Sequence, residues 1–341
     1  MSPKLKVVVA GAGVLGLTCA VSLARAGARV VLTDPAAPGE NASGVAAGML
    51  APVMEALLDP LSRPHLDLLL AARDLWPALA AQIGVTLDRS GALAVGEAAR
   101  VAREEGARIG ALVRPVEAHE VAELAPGVVA QPGLFTAEDW RIDPLPAMAA
   151  LASAAADSGV ELRRAPLAAD EACDFQVLAV GAEPNPLAPE LAHLTPIKGH
   201  ILRAPGVAYR GCVVRGERAY LTPGPDGLVI GASMEIGVRG LTLDEAQVTR
   251  LRAAGEQLLP AMAGGEVVAR TGVRASTPDG LPLVGRSRSG RALLATGARR
   301  NGWLLAPLVA GIVTAQVFGD DPGPFAARLC ASRFDGRGDR Y

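Results

Sequence analysis

VVVAGAGVLGLTCAVSLARAGARVVLTD, residues 7–34, decides how the chain is read. A β-type run from Val7 to Ala10 meets Gly11-Ala12-Gly13-Val14-Leu15-Gly16, a helical pattern follows, and Val30-Val31-Leu32 lead to Asp34. The order is strand, glycine turn, helix, strand, acid. Gly11 permits the tight turn and Gly13 lets backbone approach a pyrophosphate. Gly16 lets the helix pack closely on the strand, and the helix N-terminus favours the phosphates. Asp34 stands eighteen positions after Gly16, near the spacing of an acid that holds an adenosine ribose. Two plainer readings compete. Such a turn can serve packing alone, but packing does not call for the whole set. Lys4, Lys6 and an apolar run also resemble a secretory signal, against which three glycines and a regular second strand argue.

The length of 341 residues suggests two domains, or one elaborated domain, with ample core. Half of the residues are hydrophobic and glycine and proline are frequent, which suits α/β architecture. A net charge of −2 provides no basic field for nucleic acid. Cys19, Cys173, Cys212 and Cys330 lie far apart without a CxxC pair, which suggests neither zinc nor a disulfide framework and fits a reducing cytoplasm. Every long apolar stretch is interrupted by glycine, proline or charge, so no membrane span is expected.

Further along, Gly44 to Pro52 is a run of small residues around two glycines, suited either to a flat ligand or to a tightly packed helix start. Residues 65–83 have the apolar spacing of one amphipathic helix. Strand-like and charged helical pieces fill 85–141, and an alanine-rich helix runs from Leu145 to Asp157. A buried strand ends at Gly181, where a simple turn and a dinucleotide contact both fit. Antiparallel character follows: a strand at 196–203, then a hairpin through Gly224-Pro225-Asp226-Gly227. Thr242 to Leu259 reads as a helix, and 267–274 and 292–297 as strands. Arg300-Asn301-Gly302-Trp303 opens an apolar helix that ends at Phe318. The expected organisation is a discontinuous nucleotide-binding domain from 1–64, 145–195 and 265–341, with a substrate-binding domain from 65–144 and 196–264.

One glycine fingerprint, rather than two, argues against a nicotinamide-dependent flavin reductase. A helix N-terminus after Gly297 suits the negative charge of a reduced flavin, so the pattern suggests FAD. In its GAGVLG turn with Asp34, Ala46-Ala47-Gly48-Met49-Leu50, VIGASM ending at Met234, Gly272-Val273-Arg274 with Asp279-Gly280-Leu281-Pro282, and Arg300 to Pro307, the chain resembles the FAD-dependent D-amino acid oxidase family, closest to the glycine oxidases of thiamine biosynthesis. The resemblance covers nearly the whole chain. It implies a Rossmann-like FAD-binding domain carrying an inserted α+β substrate domain on a mainly antiparallel sheet. It implies FAD contacts from Gly11, Gly13, Val14, Leu15, Gly16, Asp34 and Pro35, from Ala42, Ser43, Ala47, Gly48 and Met49, from Gly181, and from Ala298, Arg299, Arg300, Asn301, Gly302, Trp303 and Leu304. Leu167 would contact adenine through its backbone. Arg274 would hold the substrate carboxylate, Arg300 would sit at flavin and substrate, Tyr220 would close the pocket and Met234 would restrict its size. Ala298 and Arg299 depart from the histidine and aromatic residue that relatives often carry there, and the stretch from 162 to 175 is short.

From the residues alone, Arg274 could equally be a surface arginine at a strand end, and Tyr220 and Met234 ordinary core. Glu55 fits an added polar group near the pocket, or an exposed helix face. A guanidinium fork can fix a carboxylate and leave Cα oriented for hydride loss. A flavin needs no protein nucleophile or metal beside it, and His65, His119, His193 and His200 form no readable ligand set. The expected activity is oxidation of glycine, sarcosine or small D-amino acids by a noncovalently held FAD, reoxidised by O2 to give H2O2, for the thiazole branch of thiamine biosynthesis. The alternatives are a D-amino acid dehydrogenase that passes electrons to a quinone or carrier, and a flavin-binding protein without turnover. The partners are the amine and O2, with no nucleic acid; a homo-oligomer is left open.

Overall fold

In the computed structural model, which describes residues 4–37, 39–168, 171–290 and 292–334, two sheets face a shared cleft. The first has six strands among the described residues. Their order is Leu283–Arg286, Ala292–Thr296, Phe175–Leu178, Lys6–Ala10, Arg29–Thr33, Glu161–Arg163. All neighbours run parallel except Leu283–Arg286, which is antiparallel to Ala292–Thr296. Val7, Val8 and Val9 are wholly buried, as expected of a parallel strand covered on both faces. The helix Val14–Arg25 packs against the last long helix, Gly302–Phe318, and Ser22 Oγ lies 2.8 Å from Thr314 Oγ1.

The second sheet has nine strands among the described residues and is mainly antiparallel. Its longest member, Thr195–Pro205, lies near one edge and pairs with Gly227–Gly231 on one side and Val268–Ser276 on the other. The expected hairpin is present as Tyr220–Gly224 and Gly227–Gly231. The core divides accordingly. One apolar cluster fills the space around the parallel sheet, and another lies under the antiparallel one.

Two boundaries shift from the sequence-based organisation. The strand Val268–Ser276 was expected with the nucleotide-binding segment 265–341. It instead pairs in unbroken register with Thr195–Arg203 in the nine-stranded sheet. Residues 65–83, expected in the substrate segment, form two helices, Leu66–Asp74 and Trp76–Ile83, with Pro77 in the first turn of the second. Their apolar residues Leu68, Leu69, Ala72 and Trp76 join the core of the parallel sheet. Trp76 Nε1 donates to the Trp303 carbonyl at 3.0 Å, which ties this pair to the last helix. Another short helix, Pro52–Leu58, is anchored by Asp139: its two carboxylate oxygens accept from Val53 N at 2.8 Å and Met54 N at 3.0 Å.

Candidate active site

A cavity of about 750 Å³ lies between the two sheets. One end is built by the glycine turn. Gly11 has φ +102, and a Cβ there would collide with the Ala179 carbonyl of the neighbouring strand. The helix that begins at Val14 has no side-chain cap at Gly13; Val14 N donates instead to Ser43 Oγ at 3.0 Å. Asp34 accepts from Ala12 N at 2.6 Å and Ala36 N at 2.8 Å, one bond per oxygen, which leaves each a further lone pair. Thr33 Oγ1, in the same wall, is buried without a hydrogen-bond partner. Asn41 caps the short helix Ala42–Val45 through Ser43 N and Gly44 N, and Trp303 Nε1 donates to the Ser43 carbonyl at 3.0 Å. Gly48, at φ +70, packs where a Cβ would strike the Ile142 carbonyl. Two helix starts, at Val14 and Gly302, therefore face one cavity with backbone N–H groups and a ribose-type acid. This donor set fits a dinucleotide with an anionic end.

Arg274 stands at the other end, on the strand Val268–Ser276. Its guanidinium lies over Gly199 of the adjacent strand, where a Cβ would come within 2.5 Å of Nη1 and 2.6 Å of Nη2. Nη1 donates to the Ser233 carbonyl at 3.3 Å, and among the described residues no carboxylate is within ion-pair distance. Burial, then the nearby cation Arg300, pulls its pKa below the usual arginine value. Tyr220 sits across the hairpin from Gly231, and a Cβ at Gly231 would collide with its ring. Burial raises the Tyr220 phenol, while Arg274 and Arg215 act against that rise.

Arg300 is occupied differently. Its Nη2 donates to Glu55 Oε1 at 3.0 Å, and Arg215 Nη2 donates to the same oxygen at 2.8 Å. Glu55 is 4% exposed, so the alternative of an exposed helix face is wrong. Burial alone would raise its carboxyl, but Arg300 and Arg215 outweigh that and hold it below the usual range. Arg299, also on the cavity wall, pairs with Asp59, which accepts from Ser62 Oγ at 2.7 Å as well.

Nearly all the expected site residues line this cavity: Gly11, Gly13, Val14, Leu15, Asp34, Pro35, Ala42, Ser43, Ala47, Gly48, Met49, Leu167, Gly181, Tyr220, Met234, Arg274 and 298–303. Gly16 and Leu304 do not. A Cβ at Gly16 would collide with the Gly11 carbonyl, so its role is helix-to-strand packing. Leu304 is fully buried in the core behind the helix start. Gly199, Arg215 and Asp59 had no sequence signal, because their partners lie in distant segments. His200 is a satisfied buried histidine: its Nε2 accepts from Asp244 N at 3.0 Å and its Nδ1 is 2.9 Å from Glu235 Oε1.

A parallel sheet with a glycine turn and a ribose-type acid, roofed by an antiparallel sheet that carries an unpaired guanidinium, defines a two-sheet oxidoreductase of the flavin-binding class. The chain belongs to the DAO family of FAD-dependent oxidoreductases, whose sequence model matches residues 6–316. It is 28% identical to a glycine oxidase of Geobacillus kaustophilus, over 96% of this chain and 97% of that one. It is 29% identical to a Rhizobium etli protein that carries the name thiamine biosynthesis oxidoreductase ThiO, over 94% and 98%. The crystal structure of glycine oxidase from Geobacillus kaustophilus superposes with a TM-score of 0.83 at 25% identity, covering 98% of this chain and 100% of that one. FAD is the cofactor of this family, and the donor set of the two helix starts and Asp34 fits a dinucleotide of that kind. Among the described residues no helix is long and apolar enough to cross a membrane.

Proposed function

We propose that the chain oxidises the amine of glycine, sarcosine or small D-amino acids with noncovalently held FAD, and serves the thiazole branch of thiamine biosynthesis. The observation that carries this reading is Arg274, a cation without a counter-ion among the described residues, in the cavity that would also hold the ring. FAD supplies hydride acceptance and transfer of the electrons to O2, with H2O2 as the second product. Gly11, Gly13, Asp34 and the two helix starts would hold its adenosine and diphosphate. Ser43, Met49 and residues 300–303 would border its ring.

Arg274 would grip the substrate carboxylate through paired N–H bonds and leave Cα free to aim its hydrogen. Such positioning can lower the barrier by on the order of 7–11 kcal/mol. Arg300 is held by Glu55, whose Oε1 it shares with Arg215, so it orders the site and adds positive charge beside Arg274. The two cations disfavour a third charge nearby, so the substrate nitrogen would bind as the neutral amine after losing its proton to water. Tyr220, against Gly231, closes one wall of this end of the cavity, and Met234 borders the rim.

The test is anaerobic mixing of the FAD-loaded protein with a panel of small amino acids, following the long-wavelength flavin band. Glycine or sarcosine should bleach it, and air should restore it within turnover time. A band that stays bleached in air indicates a dehydrogenase, and a band that no amine bleaches indicates a binding protein without turnover. Arg274→Ala should lower kcat/KM by about 100-fold or more, from the loss of a charge-assisted pair; an unchanged kcat/KM rejects the clamp.

A further inference from the structure

A second, smaller cavity of about 290 Å³ opens beside the first, and Arg218 and Ala232 line both. One wall is a single face of the helix Glu245–Leu258. Gln247, Arg250, Leu251, Ala254 and Gln257 recur there at steps of three and four. The other wall is the turn at Ala232 and Ser233. Ser233 is the residue whose carbonyl accepts from Arg274 Nη1, so the segment Ala232–Ser233 touches both the guanidinium clamp and the second cavity.

The charge of this cavity is one-sided. None of the described residues that line it is acidic. Among the described residues no carboxylate lies within ion-pair distance of Arg250. Arg218 reaches only Glu217, at 3.7 Å, and both side chains are mostly exposed. The amides of Gln247 and Gln257 and the hydroxyl of Ser233 add donors, while Leu251, Ala253 and Ala254 supply an apolar floor. Donors and cations above a short apolar surface suit a carboxylate carried on methylenes.

We propose that this cavity is a subsite for the second carboxylate of an amino-dicarboxylate, with D-glutamate as its representative. The proposal rests on the reading of Arg274 as the clamp for the first carboxylate. The α-carboxylate would stay on Arg274, and the distal one would pass the turn at Ala232 to Arg218 and Arg250. An exposed ion pair contributes little, about two- to fivefold each, so these two exposed guanidiniums together should favour the anion by about tenfold.

D-Glutamate and D-glutamine differ in charge but hardly in size, so the ratio of their kcat/KM values isolates the subsite. On the FAD-loaded protein this ratio should be about ten at low salt and fall toward one near 1 M salt, where screening acts within about 3 Å. Arg250→Gln should lower the ratio severalfold, and Arg250→Glu should invert it. A ratio near one in the wild type, or one indifferent to both salt and Arg250, overturns the proposal. Glycine oxidation separates the two levels: if glycine is oxidised and the ratio is one, the subsite alone is wrong. If no amine reduces the flavin, the amine-oxidase reading falls. Perturbation of the flavin spectrum by glutarate against butyrate then decides the subsite: equal affinity overturns it, and tighter glutarate binding that is lost in Arg250→Glu supports it.

Discussion

A guanidinium without a counter-ion is an expensive thing to enclose, and a protein that keeps one generally uses it on an anion that comes and goes. Arg274 has that character, and Gly199 makes it possible. The absent side chain at 199 is the space in which the guanidinium lies. Gly199→Ala should therefore leave the fold intact, because a flexible side-chain tip can shift, but should raise KM for glycine by about tenfold through a displaced clamp. Steady-state kinetics together with thermal unfolding would check this; a large loss of stability with an unchanged KM would contradict it. The same contrast shows what single residues disclose. Asp34 was legible because its meaning depends on local spacing after a glycine turn. Glu55 was not, since the arginines that fix its role are 160 and 245 positions away along the chain. No local pattern distinguishes a buried carboxylate between two cations from a surface one.

At the scale of elements, the short helix Pro52–Leu58 carries Glu55 to the site, and Asp139 anchors that helix from another segment. Burial pushes the Asp139 carboxyl up to about 7, with the two backbone N–H bonds acting against it. The ordinary value in an unfolded chain is near 3.9, so the folded state binds more protons than the unfolded state across that window. Stability attributable to this group is therefore highest below about pH 4 and declines as pH rises toward about 7. Denaturant unfolding of wild type against Asp139→Asn should show a stability difference that moves against the wild type over this range. A difference independent of pH would reject the assignment. Element type was largely readable, including the hairpin at 220–231 and the last helix. Sheet membership was harder: 267–274 reads as a strand, but nothing in it names Thr195–Arg203 as its partner. Residues 65–83 read as one helix because apolar spacing runs through Pro77, which starts a second one.

Over the whole molecule, the cavity is shared by both sheets, so a ligand that fills it joins them. FAD at about 100 times its Kd should add about 2.7 kcal/mol to the folded state. For a chain of this size that is a rise in Tm on the order of 5 °C. Thermal scans with and without added FAD would measure it, and an unmoved midpoint would show that the cavity does not take the cofactor. The Rossmann-like plan was legible because one βαβ unit announces it within thirty residues. The extent of each unit was not, because the chain crosses between sheets several times and each crossing looks like an ordinary loop.

The order of strands in the parallel sheet has a consequence for how the molecule comes into being. Phe175–Leu178 is flanked by Lys6–Ala10, synthesised early, and Ala292–Thr296, synthesised near the end. The glycine turn thus emerges from the ribosome long before the helix start at Gly302 that faces it. Until then the nascent chain holds an unpaired strand edge and an open apolar surface, the condition under which chains aggregate or recruit chaperones.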